Sequence, residues 1–257
     1  MCAKHLKILL TNDDGINAPG LAALYQQMKE IGEVIVVAPE SEKSAVGHAI
    51  TLSDPLRVWN FEKNGEIFGY AVNGTPADCV KIAYGALLQQ KPDLVISGIN
   101  LGTNTGINVI YSGTVSAATE GTILGVPSFA ISLTTYKNPD FTYAAKFARN
   151  LSQVILEKGL PKGTFLNVNI PPIKEAEIKG IVITRQGRAN YKEKFDKRVD
   201  PQNRVYYWLT GTKVQLEEDS DVDDRAILEN KVSITPFHYD LTNYDFIDEL
   251  KTWGIKS

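Results

Sequence analysis

Cysteine is nearly absent: Cys2 and Cys79 are the two thiols in 257 residues. Two cysteines so placed give neither a disulfide framework nor a metal-binding spacing. A free Cys79 suits a reducing compartment, so a cytoplasmic location is expected. No cluster of histidine and cysteine is available to hold zinc or copper. An excess of positive charge is also missing. The net charge of -3 excludes a general attraction to nucleic-acid polymers or anionic membranes. No apolar run approaches the ~18 residues needed to span a bilayer. The first such run stops at Asn12-Asp13-Asp14, too early for a secretory leader, and no small-residue cleavage site follows. Internal repeats and low-complexity tracts are absent. No Gly-x-Gly-x-x-Gly follows the first apolar run, and no phosphate-loop lysine motif is present.

What remains is an ordinary globular chain, with 43% apolar and 22% charged residues, long enough to bury a large core without staples. Residues 7–10 read as a buried strand. Pro19 opens a helix, with Leu21, Leu24, Met28 and Ile31 on one face and Gly32 as its stop. Residues 34–37 are a second apolar strand, so a parallel strand-helix-strand unit is expected. Residues 50–61 and 67–72 read as strands joined by an Asn64-Gly65 turn. Thr75-Pro76-Ala77-Asp78 starts a helix running to about residue 88, because it offers a cap, a first-turn proline and a first-turn acid. Strands over 93–97, 126–133, 165–170 and 180–184 and helices over 113–125 and 141–159 continue the alternation. In the last helix Phe147, Leu151, Val154 and Ile155 form the expected inner face. Residues 190–203 are polar, 205–209 aromatic, 217–224 acidic and 232–237 strand-like. The pattern predicts an α/β doubly wound sheet with an excursion, a hairpin arm, over 185–227. The core then comprises residues 1–184 and 228–257.

In an open parallel sheet, ligands bind beyond the carboxyl ends of the strands. Three polar segments leave such ends: Thr11-Asn12-Asp13-Asp14-Gly15, Pro39-Glu40-Ser41-Glu42-Lys43-Ser44 and residues 97–104, SGINLGTN. Adjacent carboxylates repel, and burying both costs several kcal/mol or more. A divalent cation removes that penalty. Carboxylate, amide and hydroxyl oxygens suit Mg²⁺ or Mn²⁺. Asp13, Asp14, Ser44 and Asn100 are therefore candidate metal ligands. The plain alternatives are a helix-capping turn for Asn-Asp-Asp-Gly, a surface or capping serine and a turn asparagine. Tyr111-Ser112-Gly113-Thr114 opens a helix whose N–H groups and hydroxyls could bind an anion, unless Ser112 merely caps it. Metal plus anion cradle suggests metal-assisted hydrolysis of a phosphate ester by an activated water. His48 is expected in a loop cap, the acidic run 217–224 in solvent, and Tyr206, Tyr207 and Trp208 in a core or interface. His238 with Asp240 is either a proton donor or a structural pair.

These residues carry a resemblance. LLTNDDG, VVAPESEKS, VNGTPADCV, VISGINLGTN and YSGTVSAATEG occur in order, and the chain resembles the SurE survival-protein family over residues 8–132 and 234–242. The resemblance implies a Rossmann-like, mostly parallel sheet with a C-terminal β-hairpin arm. It implies a nucleoside 5'- and 3'-monophosphate phosphatase with one divalent metal, Mg²⁺ or Mn²⁺, per subunit. The family's metal ligands fall on Asp13, Asp14, Ser44 and Asn100. Its phosphate or substrate region falls on Asn12, Gly98, Asn104, Ser112, Gly113 and Thr114. Homodimers or homotetramers with exchanged arms are implied. One departure is Ala45, where many members carry glycine.

Two other functions compete. A haloacid-dehalogenase-type phosphatase needs aspartates two positions apart, and Asn12 occupies the nucleophile's place. A non-catalytic nucleotide-binding module would need less than a metal and a cradle together.

Overall fold

Apolar strand residues here alternate between two coats, and helices cover both. In this computed structural model, residues 6–188, 190–214 and 217–255 are described; Cys2 lies outside them. In chain order the elements are β1 (Lys7–Thr11), α1 (Pro19–Met28), β2 (Glu33–Pro39), β3 (Val58–Lys63), β4 (Glu66–Val72) and α2 (Pro76–Ile82). Then come β5 (Leu94–Leu101), α3 (Gly113–Ile123), β6 (Ser128–Leu133), α4 (Thr142–Lys158), β7 (Thr164–Ile170) and β8 (Ile181–Ile183). The last are β9 (Asn190–Val199), β10 (Val205–Val214), α5 (Asp223–Leu228), β11 (Val232–His238) and α6 (Tyr244–Lys251).

Nine strands form one sheet in the order β3-β4-β2-β1-β5-β6-β7-β11-β8. The run from β4 through β7 is parallel. β3 and β11 run against their neighbours β4 and β7. Ile8 and Leu10 of β1 pack with Ile96, Phe129 and Ile131 beneath α1 and α4. Leu9 faces the other way, with Val37, Val95, Cys79 and Val80, and with Ala117 of α3. Each fully buried leucine or isoleucine stabilises by about 1.5–3 kcal/mol. Among the described residues, no helix is long and apolar enough to cross a membrane.

Local chemistry explains the main boundaries. At Thr75 both halves of a capping box form with Asp78, so α2 starts where the sequence predicts. It ends earlier than predicted, passing into a π-helical turn over Ala83–Leu87. Residues 50–57 form no strand; β3 begins at Val58. The inner face of α4 is built on Ala144, Ala145, Ala148 and Ile155, the small alanines allowing close packing, and Val154 turns outward at 46% exposure. The polar stretch after residue 189 forms the first strand of the expected hairpin arm. β9 pairs along its length with β10 in a separate two-stranded ribbon. Tyr207, Trp208 and Leu209 lie exposed on this ribbon, outside the core. The ribbon spans less than the expected excursion, because Val222 is buried and bridges back to Arg185.

Candidate active site

The turn after β1 brings two carboxylates to the carboxyl edge of the sheet. Asn12 closes it, donating from Nδ2 to the Gly15 carbonyl at 3.0 Å. Asp13 is 7% exposed and accepts from the Thr114 N–H at 3.0 Å and from the Thr114 hydroxyl. Asp14 accepts from the Leu101 N–H at 3.3 Å. Burial raises the Asp13 carboxyl above the usual range. Burial first, and then the charge of Asp13, push Asp14 up to about 7. Glu42 adds negative potential to both, and among the described residues no cationic side chain offsets them. Glu42 stands in the quoted motif, but its influence depends on how the β2 loop folds over β1.

The amino end of α3 abuts this pair. A Cβ on Gly113 would lie 2.9 Å from Asp13 Cβ and 3.1 Å from Pro76 Cγ, so glycine lets the helix start there. Ser112 caps the helix, accepting from the Val115 N–H at 3.1 Å. The Thr114 donors go to Asp13. The helix terminus that the sequence offered to a phosphate therefore holds a protein carboxylate, an equally suitable anion.

Asn100 reaches the edge through an irregularity in β5. The register with β6 shifts between Ser97 and Asn100. Gly98 has φ +145, and a Cβ there would fall 2.4 Å from the Ile131 carbonyl oxygen. Such a bulge re-aims the following side chains. Asn100 is 9% exposed and donates from Nδ2 to the Gly102 carbonyl at 3.0 Å. Asn104 is built into a buried amide network. Its N–H donates to Asn169 Oδ1 at 3.0 Å, its carbonyl accepts from Asn167 and Asn169, and its side chain donates to Ser132. Asn167 and Asn169 escape a motif search because they alternate within a plain strand.

Ser44 is exposed, and its hydroxyl donates to the Glu42 carboxylate. Its loop is joined to the turn after β1 by the Lys43 N–H, which donates to the Asp13 carbonyl at 2.8 Å. Ala45 has φ +54, the left-handed conformation that glycine adopts freely. His48 does more than cap a loop: Nε2 lies 2.9 Å from Glu120 on α3, which also accepts from Lys81 at 2.8 Å. Burial raises the Glu120 carboxyl, but those two partners outweigh it and hold it below the usual range.

His238 is not brought to this edge. β11 is antiparallel to β7 and pairs His238 with Thr164, the first residue of β7, at the amino edge of the parallel strands. Its Nδ1 accepts from the Asp240 N–H at 3.1 Å, a local structural pair. The acidic run also departs from expectation. Asp223 and Asp224 are buried rather than solvated. Cys79 is buried, which raises its thiol well above the usual range and keeps it protonated.

Two observations bear on a metal. The buried Asn12 Oδ1 and Ser97 Oγ have no hydrogen-bond partner among the described residues. Asp13 raises Asp14, Glu42 raises both, and among the described residues neither aspartate pairs with a lysine, arginine or histidine. No group of three His, Cys, Asp or Glu side chains is poised to share an ion among the described residues. The donors at the edge are two carboxylates with amide and hydroxyl oxygens, a hard set that fits Mg²⁺ or Mn²⁺.

Known proteins match this chain in sequence and fold. Residues 8–193 match the family model of survival protein SurE. The 5'-nucleotidase SurE of Syntrophus aciditrophicus is 54% identical over 247 residues, 96% of this chain and 93% of the relative. That of Syntrophobacter fumaroxidans is 48% identical over 250 residues, 97% of this chain and 100% of the relative. The crystal structure of SurE from Aquifex aeolicus superposes with a TM-score of 0.84 at 44% identity, covering 95% of this chain and 98% of that one. With a buried and a half-buried aspartate at the carboxyl edge of its sheet and this likeness over nearly its whole length, the chain belongs to the SurE survival-protein family.

Proposed function

We propose that this chain is a divalent-metal-dependent phosphomonoesterase acting on nucleoside 5'- and 3'-monophosphates. The observation that carries the reading is the pair Asp13 and Asp14, one buried and one half-buried beside the amino end of α3 and both raised above the usual carboxyl range. The nucleotide class follows the name 5'-nucleotidase SurE borne by close relatives. Asp13, Asp14, Ser44 and Asn100 would hold one Mg²⁺ or Mn²⁺ per subunit. When bound, the ion supplies Lewis acidity that polarises phosphoryl oxygens and lowers the pKa of water. Thr114 keeps Asp13 oriented through two hydrogen bonds. Asn12 fixes the turn that presents both acids. Gly98 and Gly113 let the backbone of β5 and α3 approach closely enough to place Asn100 and Asp13. His238, at the far edge, has no part in the reaction.

The arm is assigned to oligomer contacts in a homodimer or homotetramer, because its ribbon exposes Phe195, Tyr207, Trp208 and Leu209. A cytoplasmic site of action fits the free Cys79. The test is phosphate release from a panel of nucleoside monophosphates with Mn²⁺, with Mg²⁺ and with EDTA. Release that EDTA abolishes is expected. A folded preparation that releases nothing with either metal would overturn the reading.

A further inference from the structure

A buried carboxylate outside the metal-ligand set grips the loop beyond β5. Asp223 is fully buried, at 0% exposure. Its Oδ2 accepts from the Gly106 N–H at 2.8 Å. Its Oδ1 accepts from the Gly187 N–H at 3.0 Å and the Asp224 N–H at 2.8 Å. Gln186 donates from Nε2 to the Gly106 carbonyl at 2.8 Å. Next to this, the Thr105 hydroxyl donates to Asp224 Oδ1 at 2.5 Å.

Both polar ends of one residue, Gly106, are thus held by the two chain segments that enter and leave the ribbon. Residues 186–187 lead into it, and residues 223–224 follow it. On the sheet side the same loop is held at Asn104 by Asn167 and Asn169. From Gly106 the chain runs through a 3₁₀ turn, Gly106–Tyr111, directly to Ser112 and Gly113. A displacement at Gly106 therefore reaches the rim of the site without passing through β1.

We propose that Asp223 is a positioning residue for the loop beyond β5, residues 102–106, named the substrate loop for the candidate substrate residue Asn104 that it carries, and that the root of the ribbon sets this loop's place. The role at catalysis rests on the nucleotidase reading. The placement of the loop does not.

The carboxylate suits this task because it offers acceptor oxygens on both sides. Asp223→Asn keeps the shape but turns an NH₂ group toward either Gly106 N–H or Gly187 N–H, so donor meets donor. Gln186→Ala reaches the same peptide from a half-buried position and spares the buried carboxylate.

Each variant is compared with the parent in three measurements. The first is the KM and kcat for a nucleoside monophosphate with saturating Mn²⁺. The second is direct Mn²⁺ binding by calorimetry without substrate. The third is amide hydrogen exchange over residues 102–107. In Asp223→Asn, KM should rise about tenfold, with kcat and the Mn²⁺ Kd within about threefold. Exchange over 102–107 should quicken about tenfold or more while β1 stays protected. Gln186→Ala should move the same quantities in the same direction by less. Unchanged exchange in both folded variants overturns the proposal. So does a KM that rises only together with the Mn²⁺ Kd, which marks general loosening. If the parent hydrolyses no nucleotide, the nucleotidase reading falls. The exchange experiment then still decides whether Asp223 positions the loop.

Discussion

Asp13-Asp14 and Asp223-Asp224 are the same dipeptide in two surroundings. Both pairs are drawn into the protein, and burial raises Asp13, Asp14 and Asp223 alike. The partners differ. Asp223 spends its oxygens on three backbone N–H groups, of Gly106, Gly187 and Asp224. Asp14 has one long bond from Leu101, and Glu42 adds to its charge burden. The first pair thus leaves capacity to bind a cation, whereas Asp223 acts as a structural clasp. Two adjacent acids are not themselves a metal signal; what decides is whether the fold supplies donors.

The largest expected effect separates the pairs by activity. Asp13→Asn or Asp14→Asn should lower kcat with Mn²⁺ by about a hundredfold or more while circular dichroism stays unchanged. A variant of Asp14 with full, metal-dependent turnover would erase the distinction. The next effect is on pH. The folded Asp14 carboxyl stands at about 7, above its usual value near 4 in the unfolded chain. The folded state therefore binds this proton more tightly. Metal-free stability should be full below about pH 4 and fall as pH rises through about 7, by at most about 4 kcal/mol. Urea melts between those limits read the slope, and saturating Mn²⁺ should remove or reverse it. A flat metal-free profile would show that the pair carries no uncompensated charge.

The third effect is one of sign. In metal-free protein, Asp14→Asn should stabilise by about 1–2 kcal/mol, because it removes a half-buried charge beside Asp13. Asp223→Asn should destabilise by about 1–3 kcal/mol, because it strands a buried N–H donor. Equal signs in chemical denaturation would merge the two pairs into one class. The smallest effect concerns Glu42. Glu42→Gln should weaken Mn²⁺ binding by about twofold to fivefold and leave the Asp223 region untouched. Calorimetric titration checks it, and an unchanged Kd would confine the site's negative charge to its two aspartates.

The parallel core was legible in the residues because apolar β-branched runs alternate with helix starts that carry their own caps. Pro19 and the Thr75–Asp78 box mark α1 and α2 in the sequence and in the structure. The carboxyl-edge grouping was legible too, since it follows from parallel strands alone. Three features were hidden for physical reasons. β9 is mostly charged, with Phe195 and Val199 left exposed, because its ribbon lies outside the core, so its limits do not stand out in the hydrophobic pattern. Burial of Asp223 depends on Gly106, more than a hundred residues away in sequence. His238 sits at the wrong edge because β11 reverses direction against β7, which its local pattern does not reveal.

The strand order also fixes a timetable for a chain made from its amino end. Each candidate metal ligand, from Asp13 to Asn100, precedes β6, and β4, β2, β1, β5 and β6 stand side by side in that order in the sheet. That half can assemble while synthesis continues. β7 must then wait, with one edge bare, for β11, which follows the whole ribbon. The Asp223 clasp arrives in the same late interval. A nascent chain halted before residue 223 would own every metal ligand and lack the fastening of its substrate loop.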